Sequence, residues 1–164
     1  MVSQRQSRLE GHRRKFLAVV DDTPESARAV RYAGMRAKNS ANGGLVLLYV
    51  ISDADFNQWI GVAEVMRAEA REEADAIMAK VAQDVREKIG HEPELIIREG
   101  KATDQILQLI EEDRDIAILV LAASSGKEGP GPLVTSVAGR GTPFPIPVTI
   151  VPDTLTEEEI DALA

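Results

Sequence analysis

Short, continuous apolar runs alternate along this chain with longer stretches of 3.6-residue periodicity. Phe16–Val20 (FLAVV), Leu45–Ile51 (LVLLYVI) and Ile116–Ala123 (IAILVLAA) are apolar throughout. Such runs predict strands covered on both faces. Glu94–Arg98 (ELIIR) is shorter and flanked by charges, which suits a strand near an edge, and Val148–Val151 reads as a fifth strand. Between them lie helical patterns. Thr23 suits an N-cap and Pro24 a first helical position, with Ala27, Val30, Ala33 and Ala37 on one apolar face. From Trp59 to Ile89 apolar residues recur three or four apart, among them Met66, Ala70, Ala74, Ile77, Val81 and Val85. This is long for one helix, and its first turns read equally well as loop. Asp84 and Lys88 have the spacing of an i,i+4 pair. A helix over Thr103–Glu112 presents Ile106, Leu107 and Ile110, and a short one starts near Leu133 before Gly139, Gly141, Pro143 and Pro145 end it. In the tail, Thr156 and Glu159 have capping-box spacing, with Leu155 and Ile160 at the staple positions. Strands alternating with helices predict an α/β fold: a parallel sheet with helices on both faces.

Composition narrows the class. A chain of 164 residues with 44 % hydrophobic and 28 % charged residues is long enough for one domain with a real core. A net charge of −8 argues against nucleic acid as a partner. The absence of cysteine removes disulfides, thiolate catalysis and Cys-based zinc sites, and suits a cytoplasmic location. No apolar run reaches the roughly 18 residues of a membrane span, and no apolar segment follows the charged start to make a secretory signal. Charge is unevenly placed. Arg5, Arg8, Arg13, Arg14 and Lys15 outweigh Glu10 near the start, whereas Asp153, Glu157, Glu158, Glu159 and Asp161 stand without a base at the end. The reading is therefore a flexible basic arm over 1–14, a domain over 15–152 and an acidic tail over 153–164 that forms a short helix.

Candidate chemistry concentrates after the fourth strand, where Ser124 to Pro132 (SSGKEGPGP) leads into a helix. In open α/β sheets, ligands settle at the carboxyl ends of strands near helix N-termini. Hydrolase chemistry does not fit: no histidine follows Ser124 or Ser125, and AASSG is not GxSxG. Gly126-Lys127 fails as a phosphate-binding P-loop, because Leu121 stands at the first glycine and Glu128 at the Ser/Thr position. Asp21-Asp22 invites a receiver-like Mg²⁺ site, yet the third strand ends Arg98-Glu99-Gly100 and the fifth Val151-Pro152, without the required acceptor Asp and Lys. No His/Asp/Glu group has metal-ligand spacing, so neither a catalytic nor a metal site is expected.

Four segments taken in order resemble the universal stress protein family. They are KFLAVVDDTPESARAV, GGLVLLYV, EGKATDQILQLIEEDRDIAILVLAAS and PIPVTIVP. The resemblance runs from about Lys15 to Pro152 and implies a Rossmann-like open five-stranded sheet in the order 3-2-1-4-5. It also implies homodimers joined through the last strand, here Val148–Val151. Many members bind ATP through Gly-x2-Gly-x9-Gly-(Ser/Thr). That spacing falls on Ala122, Ser125, Thr135 and Ser136, with each glycine replaced. Family positions near the base and ribose fall on Asp21 and Val50. Glycine lets a backbone approach phosphates closely and adopt positive φ. A β-branched Thr135 forced to positive φ stores on the order of 1–3 kcal/mol, a roughly 5- to 150-fold loss of affinity. The resemblance thus implies a non-enzymatic, homodimeric stress-response protein acting through unidentified protein partners, with no cofactor and weak or no ATP binding. The alternative is an ATP- or nucleotide-binding regulatory switch using the altered loop.

Overall fold

The apolar runs become the strands of one sheet. The structure, a computed structural model, describes residues 4–21, 23–52, 63–138 and 144–164. Strands β1 (Arg14–Val20), β2 (Gly43–Ile51), β3 (Glu94–Glu99), β4 (Ile116–Ala123) and β5 (Val148–Pro152) alternate with helices α1 (Ser26–Asn39), α2 (Ala63–Lys88), α3 (Ala102–Glu112) and α4 (Pro132–Ala138); α5 (Glu157–Leu163) follows. All strand pairs are parallel, in the order β3-β2-β1-β4-β5. The expected Rossmann-like topology is therefore present, and charged β3 is an edge.

Central β1 feeds two cores with a period of two. Phe16, Ala18 and Val20 join residues of α1, α2 and α5 on one face. Leu17 and Val19 join residues of α3 and α4 on the other. Phe16, Leu17 and Ala18 are completely buried. Each large apolar side chain so buried stabilises the fold by about 1.5–3 kcal/mol.

Several local expectations are corrected. Helix α1 starts at Ser26, without a side-chain cap. Thr23 instead donates its N–H to Asp21 Oδ1 at 2.8 Å and its hydroxyl to the same oxygen. That Asx-type turn competes with N-capping. The later start also rotates the buried face, leaving Ala27 exposed and Ala29 buried. Asp84 and Lys88 do not pair within 4 Å; Arg71 and Asp75 are the i,i+4 pair seen in α2, at 3.6 Å. Such exposed pairs contribute only about 0.2–0.5 kcal/mol, too little to fix a geometry. Trp59, Asp22, Gly139, Gly141 and Pro143 lie outside the described residues.

The chain ends also differ from free appendages. In the basic segment, Gln6 N–H donates to Arg114 O at 2.9 Å. Arg5 Nη1 donates to Ile110 O at 2.6 Å, near the carboxyl end of α3. His12 Nδ1 lies 2.8 Å from Asp115 Oδ1. These contacts hold residues 5–12 against the base of the sheet, and β1 starts at Arg14. At the other end, Thr156 and Glu159 form the capping box, and Ile160 is completely buried in the first core. Among the described residues, no helix is long and apolar enough to cross a membrane.

Candidate functional site

The sheet reverses its winding between β1 and β4, and their carboxyl ends diverge there to leave a crevice. A cleft of about 90 Å³ lies in it, walled by Asp21, Ser26, Ala122, Pro130, Gly131 and Leu133. Pockets that enclose small organic ligands usually measure about 300–1,000 Å³. Among the sequence candidates, Asp21 and Ala122 line this cleft. The others do not. Val50 is half-buried against the second core. Thr135 and Ser136 sit inside α4 and donate their hydroxyls back to Gly131 O at 2.7 Å and Pro132 O at 2.9 Å. Their hydroxyls are therefore committed to the helix. Thr135 carries no positive φ, since Asn42 is the non-glycine residue with that geometry among the described residues.

The loop after β4 obtains its freedom from glycines elsewhere. Gly129 and Gly131 have φ of 93° and 104°, values that residues with a Cβ rarely adopt. The resulting turns satisfy the loop's own amides. Ser124 N–H donates to Pro130 O at 3.2 Å, and Gly129 N–H to Gly126 O at 3.2 Å. Gly126 N–H donates to Ser124 Oγ at 3.1 Å. Ser125 N–H donates to Asp153 Oδ2 at 2.9 Å. An anion would compete with these acceptors for the same donors.

Asp153 was not legible as part of the site. It follows β5 directly, and its own N–H donates to Ala123 O at 3.1 Å, which brings its carboxylate back over the β4 loop. The Ser125 N–H, with the Ser125 hydroxyl, holds the Asp153 carboxyl below the usual carboxylate range, so it stays ionised at neutral pH. Asp21 is also engaged, accepting both bonds from Thr23. One oxygen of its carboxylate is thereby spoken for by its own turn.

A larger hollow of about 310 Å³ lies across the β1–α1 turn, between α1, α2 and α5. It shares Asp21, Thr23 and Ser26 with the cleft and is otherwise walled by residues such as Val30, Val81 and Leu155. None of the β4-loop residues lines it, so it offers no loop amides to a ligand. Among the described residues, no group of three His, Asp or Glu side chains converges to hold a metal ion.

Comparison with known proteins places this geometry in context. The sequence model described as the Universal stress protein family matches residues 12–152. A hypothetical protein, MJ0577, has a similar structure, with a TM-score of 0.70, 19 % identity, and coverage of 87 % of this chain and 98 % of the other. The universal stress protein UspA from Lactobacillus plantarum superposes with a TM-score of 0.63 at 20 % identity, covering 84 % and 96 %. The universal stress protein from Archaeoglobus fulgidus in complex with dAMP gives 0.55 at 19 %, covering 92 % and 99 %. No curated protein matches the sequence. The segment 153–164, which carries Asp153 and α5, lies beyond the residues matched by the family.

Proposed function

Because the chain belongs to the universal stress protein family, we propose that it is a non-enzymatic, cytoplasmic stress-response protein, homodimeric and acting through protein partners, whose nucleotide cleft is closed to ATP. One observation carries the reading: the Ser125 N–H, at a position where the family pattern calls for a phosphate-facing glycine, already donates to the Asp153 carboxylate. A phosphate must displace that carboxylate and also meet its charge. The small cleft and the inward-turned hydroxyls of Thr135 and Ser136 support the same conclusion.

The dimer reading draws on β5. This strand pairs with β4 on one side and ends the sheet on the other. Ile150 is 39 % exposed there, and the strand carries no charge that would discourage pairing with a second edge.

A second reading, a nucleotide-binding regulatory switch, draws on the relative solved with dAMP. A monophosphate needs fewer donors than ATP and meets less of the loop. The two readings separate cleanly. Protein purified without added nucleotide is denatured, and the supernatant is measured at 260 nm. The closed-cleft reading expects no adenine absorbance. One adenine nucleotide per chain overturns it in favour of the switch.

A further inference from the structure

The hollow between α1, α2 and α5 measures about 310 Å³, against about 90 Å³ for the cleft. It therefore reaches the range of about 300–1,000 Å³ found for pockets that enclose small organic ligands. Two of its walls belong to the family domain. The third, with Leu155, Glu157 and Ile160, comes from the extension beyond residue 152. Its lining is amphipathic. Val30, Val85, Ile89 and Ile160 border the hollow and are otherwise buried in the first core, with Val81 and Leu155 packed against them.

Six ionisable side chains share that lining: Asp21, Arg28, Arg31, Asp84, Lys88 and Glu157. Three are engaged within the protein. Asp21 accepts both bonds from Thr23. Arg31 is bonded to Asp161 at 2.7 Å and lies 3.6 Å from Glu157. The other three, Arg28, Asp84 and Lys88, have no ion-pair partner within 4.0 Å among the described residues. Two cations against one carboxylate leave one positive charge unmatched. Arg28 is also fixed in place, since its Nε donates to Leu155 O at 3.0 Å. A guanidinium carries two further nitrogens, so a donor fork remains for an anion.

We propose that this hollow is a second ligand site, one that takes a small amphipathic monoanion: a carboxylate held by Arg28 and Lys88, on a short apolar body that covers Val30, Val81 and Ile160. A guanidinium fork matches a carboxylate in bidentate geometry, and the apolar body removes valine and isoleucine surface from water. A multiply charged phosphate is disfavoured, because Asp21, Asp84 and Glu157 border the same space and the net charge is −8. A long acyl chain is disfavoured by a volume at the lower end of the ligand range. The site uses no amide of the β4 loop and stands whether or not the cleft binds nucleotide.

The test is a nuclear magnetic resonance titration of the 164-residue chain, labelled with nitrogen-15, with sodium octanoate. Saturable shifts are expected at the amides of Val81, Val85 and Ile160. Arg28→Gln should weaken binding by about tenfold, the loss of one charge-assisted contact. Lys88→Gln should weaken it by a smaller factor; Lys88 is exposed, so this variant leaves the core undisturbed. Octylamine, with the same apolar body and the opposite charge, should bind wild type more weakly than octanoate. The proposal is overturned by an absence of saturable shifts at those amides with octanoate. It is equally overturned by octylamine binding as tightly as octanoate, or by a folded Arg28→Gln variant with wild-type affinity.

Discussion

In the proposed closed cleft, a single backbone N–H at Ser125 decides between an internal and an external anion. Asp153 holds it at 2.9 Å, and the charge-assisted character of that bond makes it stronger than an amide–carbonyl contact. Replacing Asp153 with Ala removes the competitor and one negative charge from the mouth of the cleft. The affinity for dAMP, measured by isothermal titration, is expected to rise above that of wild type; equal affinities would count against the internal-anion account. The site was only partly readable at this scale. Asp21 and Ala122 both line the cleft, as expected of residues at strand ends, which follow from apolar runs. Asp153 was missed because its partner is 28 residues away and nothing in the local pattern of an acidic tail distinguishes a docked carboxylate from a solvated one. Thr135 and Ser136 were matched by spacing alone, which says nothing of where a hydroxyl turns once α4 forms around it.

Among the elements, α5 has the clearest energetic consequences. Ile160 is completely buried, so Ile160→Ala is expected to cost about 2–5 kcal/mol, read from chemical denaturation. Arg31 secures the same helix through two bonds to Asp161, both at 2.7 Å, and holds the Asp161 carboxyl below the usual range. A depressed carboxyl contributes stability that is complete above its unfolded value of about 3.9 and is lost as pH falls through the lower folded value. Docking of α5 should therefore persist through neutral and mildly acidic pH and fail only below about pH 4, as followed by amide exchange at Ile160. Loss of protection near pH 6 would implicate a different group. The capping box and staple made this helix legible in advance, since their partners are three to five residues apart. The docking of residues 5–12 was not, because Arg5 and His12 find partners 105 and 103 residues away.

For the whole molecule, strand order and the two-sided core follow from a few buried runs, and the family match over residues 12–152 agrees with them. The proposed dimer draws on β5. Val148 packs against the second core, so the outward Ile150 is the appropriate position to change. Ile150→Lys places a charge on the free edge and is expected to give a monomer by light scattering; an unchanged dimer mass would remove edge pairing from the account. The cleft and the tail then act together: an extension beyond the family domain supplies both α5 and the carboxylate that caps the loop. The most direct measurement of that claim is a calorimetric titration of the untreated 164-residue chain with Mg-ATP. The account predicts no saturable heat at millimolar nucleotide, whereas stoichiometric binding at micromolar concentration would contradict it.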